Sequence, residues 1–265
     1  EHVFYRTIEI FLANKHDYWI GSCEWTVERY AKSGIDRNRL FLSYYGTDVD
    51  NFVANNPIDL KAQLSLPQET QLIGMVAYMY APKKYLGQSR GLKGHEDLVD
   101  AVAILKEKYP CLKLLFIGGQ WGEATDYFEQ VSQYSKEKLG DDAILLGSRS
   151  DVLDLYHNLT MAVFPSHSEN VGGAVESLLM NVPTITSNVG GFPDLVKENQ
   201  TGLLVPAKSP FLLAKAIEKY LNEEQIRLKH AEAGHKLASK LFDVKYTARE
   251  IIQIYIKILE IDTIK

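Results

Sequence analysis

Short, nearly unbroken apolar runs alternate along the chain with longer stretches whose apolar positions recur every three to four residues. The runs fall at 17–22 (DYWIGS), 39–44 (RLFLSY), 70–79 (TQLIGMVAYM), 112–118 (LKLLFIG), 143–147 (AILLG), 161–164 (MAVF), 183–187 (PTITS) and 202–205 (GLLV). Apolar runs without a polar alternation are the signature of strands buried on both faces, as in parallel sheets. Between them, 95–109 carries apolar residues at 98, 99, 101, 102 and 105, a helical period. Residues 122–139, 151–157 and 172–180 read as further helices. Repeated strand–helix–strand units with short loops predict an α/β protein with a doubly wound, Rossmann-like parallel sheet. After residue 209 the alternation stops, and three consecutive helices are expected, the first opening near Pro210. The polar segment 46–69, with Pro57 and Pro67, predicts a linker holding one short helix. The chain opens at Glu1 directly into an amphipathic pattern, which reads as a start inside a larger protein.

Composition narrows the classes. The 265 residues are 46% apolar and 24% charged with a net charge of −5, and no basic tract stands out, which argues against nucleic acid as a partner. Cys23 and Cys111 form neither a disulfide framework nor a zinc pattern, and they fit a reducing, cytoplasmic setting. No apolar run approaches the ~20 residues of a membrane-spanning helix.

Candidate chemistry gathers where the predicted strands end, the rim at which open parallel sheets bind ligands. Residues 164–176 read FPSHSENVGGAVE. Gly172 and Gly173 are expected to begin a helix, whose free N–H groups and positive dipole end suit an anion. Glu176, one turn inside, can accept both hydrogen bonds of a vicinal diol, and Glu169 can reach a second hydroxylated group. A ligand with two polyol ends joined by an anion fits this pattern, and a nucleotide-sugar has that form. Glutamates that merely favour a helix dipole, beside an ordinary glycine loop, would look the same. Arg90 and Lys93, flanked by Gly91 and Gly94, read either as a diphosphate clamp or as a solvated basic loop. His95-Glu96-Asp97 opens the following helix and reads as solvated. The loop 118–124 (GGQWGEA) is glycine-rich but lacks G-x-G-x-x-G. Gly190 and Gly191 form a second glycine pair, and Ser148 and Arg149 lie in a turn where a nucleobase could be held by backbone atoms with Arg149 stacked on it.

From about residue 20 onward the chain resembles the second half of the retaining GT-B glycosyltransferases, in the family known as glycosyl transferases group 1. Gly46, Asp48 and Phe52 fill the G-x-D-x-x-x-F pattern that closes the family's first domain. RGLKGHEDLVDA (90–101) matches its K-G-x-x-x-L-x-x-A segment, PSHSENVGGAVES (165–177) its paired glutamates, and SNVGGFPDLVKENQTGLLV (187–205) its next block. The resemblance implies that Lys93 meets the donor diphosphate and Glu169 the donor sugar, these two forming the catalytic set. It implies that the backbone of Val171, Gly172, Gly173 and Ala174 contacts sugar and phosphate, and that Glu176 binds the ribose. Only six residues separate the two glutamates where the family usually has seven. The family's arginine after the first strand is missing; Tyr78 stands near its place, with Arg90 as a candidate substitute.

The domain division expected from this resemblance is a remnant of the acceptor domain at 1–45, a linker at 46–65, a nucleotide-sugar domain at 66–245, and a helix at 246–265 crossing back towards the first domain. The implied partners are a UDP- or GDP-linked sugar and, through the absent domain, a glycan or lipid-linked acceptor in cell-surface polysaccharide synthesis. That would place the full-length protein in the cytoplasm, at the inner face of the membrane. No cofactor and no metal are expected, because Asp48-Val49-Asp50 is accounted for by the G-x-D-x-x-x-F match. Without its first domain the chain is expected to bind donor but not to transfer sugar. A GT-B-type nucleotide-sugar epimerase and a non-catalytic nucleotide-binding module remain as alternatives. A nicotinamide dehydrogenase is disfavoured by the missing dinucleotide fingerprint.

Overall fold

A computed structural model describes residue 8, residues 10–122 and residues 125–263. Residues 1–7 and 9 of the amphipathic opening and the end of the 118–124 loop therefore lie outside the described residues. The chain divides into two compact units: one holds the chain up to Val49 together with Ser239 onward, and the other is Asp50–Ala238.

In the smaller unit, β1 (Trp19–Gly21), α1 (Glu24–Lys32) and β2 (Leu40–Leu42) form one strand–helix–strand repeat, with Trp19 opposite Leu40 in a parallel pair. The last helix, α10 (Val244–Thr263), starts against the chain that follows β2. The Thr47 N–H donates to the Phe242 carbonyl at 2.7 Å, and the Val244 N–H donates to the Thr47 carbonyl at 2.9 Å. A Cβ on Gly46 would come within 2.8 Å of the Val244 backbone, so only glycine permits this approach without a shift. The G-x-D-x-x-x-F glycine is thus a packing residue here.

The larger unit is built on six parallel strands: β3 (Gln71–Val76), β4 (Leu112–Ile117), β5 (Ala143–Leu145), β6 (Met161–Phe164), β7 (Thr184–Ser187) and β8 (Leu203–Val205). Their spatial order is β5-β4-β3-β6-β7-β8, so the winding reverses between β3 and β6. Ile73 lies opposite Met161 across that reversal. Successive residues of one strand serve opposite faces. Ile73, Met75, Leu114 and Phe116 pack under α3 (His95–Leu105), α4 (Thr125–Leu139) and α8 (Pro210–Asn222). Leu72, Leu115, Ile117 and Phe164 pack on the other face with Leu60, Tyr156 and Phe192. Both faces are covered, which is why the strands show no polar alternation. Among the described residues no helix is long and apolar enough to cross a membrane.

The expected strands and long helices are present, with informative differences. Strand β3 stops at Val76, but the chain beyond it stays paired with the segment after β4: the Ala77 N–H donates to the Ile117 carbonyl at 3.0 Å, and Met79 bridges Gln120 in parallel. Helix α6 is Ala174–Leu179, so Gly172 and Gly173 precede it rather than open it. A four-residue helix, α7 (Phe192–Leu195), follows the second glycine pair and was not expected. Residues 50–65 belong to the larger unit: α2 (Leu60–Gln63) buries Leu60 to 1% exposure in the core. The solvated reading of His95 and Asp97 is overturned, since they are 1% and 3% exposed. The ring of His95 lies 5.1 Å from that of Phe116, inside the sheet–helix core.

Leu60→Ala should cost ~2–5 kcal/mol in urea denaturation, the range for truncating a buried leucine; a linker residue would cost almost nothing. Burial holds His95 far below the usual imidazole range, at about 3. The unfolded chain therefore takes up a proton near pH 6.5 that the fold refuses. Stability contributed by neutral His95 is complete above pH 6.5 and is lost as pH falls towards 3, at up to ~1.4 kcal/mol per pH unit. His95→Asn should flatten the fall of the urea midpoint between pH 6.5 and 4.

Candidate functional site

At the reversal, the loops after β3 and β6 part and leave a cleft of about 290 Å³. Its walls come from the carboxyl ends of four strands and the residues just beyond: Val76, Ala77, Tyr78 and Tyr80 from β3, Ile117 and Gly118 from β4, Ser148 and Arg149 after β5, and Phe164, Ser166 and Glu169 from β6. Lys93 enters from the loop before α3, and Gly173 and Glu176 from the start of α6.

Lys93 and Glu169, 76 positions apart, form an ion pair with side chains 17% and 11% exposed. The ammonium also lies 5.4 Å from the Tyr80 ring centroid, a cation–π distance. Glu169 is held closely. The Asn170 N–H donates to its Oε1 at 3.1 Å, and the Ser166 hydroxyl donates to Oε2 at 3.4 Å. Two glycines with positive φ make room for it. A Cβ on Gly172 (φ +39) would meet its carboxylate at 2.8 Å, and one on Gly190 (φ +55) would overlap its backbone carbonyl. A third, Gly94 (φ +76), lets the Lys93 loop lie against the Pro165 carbonyl.

Glu176 faces the cleft from the first turn of α6. Burial raises its pKa above the ordinary carboxyl value, and the Tyr156 hydroxyl, donating to Oε2 at 3.2 Å, only partly offsets this. Tyr156 is itself fully buried, so the carboxylate is aimed by a rigid partner.

Among the residues expected at a site, Lys93, Ser148, Arg149, Glu169, Gly173 and Glu176 line this cleft together. The Arg149 guanidinium is held by Asp151, from Nε at 2.8 Å and Nη2 at 2.5 Å. Val171 and Ala174 are buried beside the cleft, while Gly172 and Gly190 pack around Glu169 and the Gly191 N–H donates to the Asn170 carbonyl at 2.7 Å. Arg90 is elsewhere. Its guanidinium is bound by Asp97 at 2.5 Å and Asp100 at 2.6 Å and faces a second cavity with Ser89, His167, Ser168 and Lys208. Asp97 and Asp100, both on α3, take it out of the cleft.

Sequence reasoning missed Tyr80, Ser166 and Tyr156. Ser166 lies inside the stretch 164–176 and Tyr80 one position beyond the run 70–79, but nothing local marks either as facing a ligand. Tyr156 lies twenty positions before Glu176, and only the fold joins them. Tyr78 and Tyr80 lie 5.4 and 5.1 Å from the Trp121 ring, forming an aromatic rim at the mouth. Among the described residues no group of three His, Cys, Asp or Glu side chains could hold a metal ion.

The family model described as Glycosyl transferases group 1 matches residues 84–237, more than half of the chain. The chain belongs to that family. Within it, the capsular polysaccharide biosynthesis glycosyltransferase CapM of Staphylococcus aureus is 30% identical over 172 residues, 64% of this chain and 44% of that protein. The D-inositol 3-phosphate glycosyltransferase of Thermobifida fusca is 28% identical over 218 residues, 78% of this chain and 48% of its own. This group 1 chain thus spans about half the length of the curated relatives it matches. In three dimensions it resembles Anabaena HepE in complex with UDP-glucose, with a TM-score of 0.81 and 22% identity over 95% of this chain and 67% of that one. Sucrose-phosphate synthase from Thermosynechococcus elongatus matches with a TM-score of 0.77 and 25% identity, over 98% of this chain and 62% of its own. The parallel sheet with flanking helices is therefore the GT-B glycosyltransferase arrangement.

Because burial raises the Glu176 pKa, the fold disfavours its charged form. Stability is lost as pH rises from the unfolded value of 4.5 through the raised folded value, and stays reduced above it. Glu176→Gln should therefore raise the melting temperature at pH 7 while weakening binding at the cleft. Differential scanning fluorimetry checks the first effect, and a melting temperature that falls would contradict it.

Proposed function

We propose that the chain is the donor-binding half of a retaining, metal-independent glycosyltransferase. The whole enzyme takes sugar from a UDP- or GDP-linked donor and passes it to a glycan or lipid-linked acceptor in cell-surface polysaccharide synthesis, in the cytoplasm at the inner face of the membrane, while this half by itself binds donor without transferring sugar. One observation carries the reading: Lys93, Glu169 and Glu176 converge in a single cleft at the reversal of the sheet, in a group 1 chain. CapM, by its name a capsular polysaccharide enzyme, supports the acceptor class, and the UDP-glucose complex of HepE supports the donor class.

The assignment runs along the cleft. Glu176, steadied by Tyr156, accepts hydrogen bonds from the ribose diol. Ser148 and Arg149 border the nucleoside end. Lys93 faces the diphosphate and Glu169 the sugar. On donor binding the Lys93–Glu169 pair exchanges partners: the ammonium turns to phosphate oxygens and the carboxylate is freed for sugar hydroxyls. Charge that develops on the leaving diphosphate is then met by a preorganised cation in a half-buried cleft, where it acts more strongly than in water. The departing phosphate takes the acceptor's proton, so no side-chain nucleophile is required.

A thermal-shift panel of UDP, GDP, ADP and their sugars tests this reading. A ligand at 100 times its dissociation constant should stabilise the fold by ~2.7 kcal/mol. Lys93→Ala should weaken nucleoside diphosphate binding by ~1.5–3 kcal/mol, the scale of a charged hydrogen bond, and leave nucleoside binding unchanged. Equal losses for both in calorimetry would make Lys93 a structural residue and remove the diphosphate from its side of the cleft.

A further inference from the structure

His167 and Asp97 have no part in the assignment above, yet they are tightly built. Asp97 sits in the first turn of α3 with its side chain 4% exposed. Its Oδ2 lies 2.5 Å from His167 Nε2, and its Oδ1 accepts from Arg90 Nη1 at 2.5 Å. A carboxylate offers only acceptors, so the Nε2 of His167 carries the proton. Burial pushes the Asp97 carboxyl up, but the hydrogen bonds from His167 and Arg90 outweigh it and hold the group below its ordinary range. Arg90 is fixed in turn by Asp100, which also accepts from the Tyr134 hydroxyl at 2.5 Å.

His167 is tied a second time: its backbone N–H donates to the Leu92 carbonyl at 2.8 Å. Backbone and side chain of one residue thus fasten the loop after β6 to segment 92–97, two positions before Glu169. Downstream, only six residues separate Glu169 from Glu176. With so short a span, the direction of the Glu169 side chain depends on how the chain enters it. The entry is set at His167.

We propose that His167, tethered to Asp97, is a positioning residue that holds Glu169 at the sugar end of the cleft and adds nothing to the grip on the nucleoside diphosphate. The proposal rests on the nucleotide-sugar reading of the cleft. Arg90 then serves the site from behind by anchoring Asp97.

The test separates the sugar's contribution from that of the nucleotide. Affinities of UDP and UDP-glucose, and of GDP and GDP-mannose, are measured by calorimetry for the chain and its variants. The gain from nucleotide to nucleotide-sugar is the readout. His167→Ala should leave nucleotide affinity unchanged and reduce the gain by about tenfold, the scale of one charged contact. His167→Gln, whose amide N–H can reach Asp97, should restore most of it. In a Glu169→Ala background the gain is already lost, and adding His167→Ala should remove nothing more. Circular dichroism and the melting midpoint establish that each variant is folded. If His167→Ala lowers nucleotide and nucleotide-sugar affinity equally, keeps the gain, or acts again in the Glu169→Ala background, the positioning role is overturned. If the unaltered chain shows no gain with either pair, the donor reading of the cleft falls and this proposal with it. A gain that survives His167→Ala removes this proposal alone.

Discussion

The Lys93–Glu169 ion pair is the contact on which the architecture of the cleft turns. Its partners come from two separate loops, one ahead of α3 and one after β6, and each side chain is largely withdrawn from water. A lone charge so placed would be costly. Facing each other, they make the unliganded cleft tolerable and draw the two loops together. The surrounding backbone is arranged to allow it. Gly94 brings the lysine loop against Pro165, Gly172 leaves space beside the glutamate carboxylate, and Gly190 passes under its carbonyl. These glycines serve approach as well as turning, since each also has a positive φ, and a methyl group at any of them would push one member of the pair away from the other.

That reading changes what the glycine pairs mean. In the sequence, Gly172 and Gly173 look like the start of a helix waiting for an anion. In the fold, α6 begins at Ala174 and has six residues, so its dipole is small, and only Gly173 lines the cleft. Gly190 and Gly191 belong to the scaffold behind Glu169. What the structure shows at Gly172, Gly173 and Gly190 is packing, each lying closer to its neighbours than a Cβ would allow.

The fold was legible because burial on both sheet faces leaves uninterrupted apolar runs, and every expected strand matches one in the structure to within a few residues. Lys93, Glu169 and Glu176 were legible because motif spacing marks them. Arg90 was not, since its sequence neighbourhood announces a phosphate clamp while its true partners are Asp97, which reads as solvated, and Asp100 one turn further along the same helix. The burial of His95 was hidden for a related reason: a polar run at a helix start says nothing about which residue turns inward. Tyr156 escaped because its meeting with Glu176 crosses from one strand–helix unit to the next. Pairings between units are what local pattern leaves out.

The aromatic rim has an optical consequence. Trp121 is 53% exposed and stacked on Tyr80, whose ring in turn lies over the Lys93 ammonium. The other two tryptophans, Trp19 and Trp25, belong to the smaller unit. Emission from the larger unit therefore comes from one indole at the mouth of the cleft. An ionised neighbour that shifts, or a flat ring that slides alongside, alters both the colour and the lifetime of that emission. The chain carries its own fluorophore where occupancy would be read, without any label.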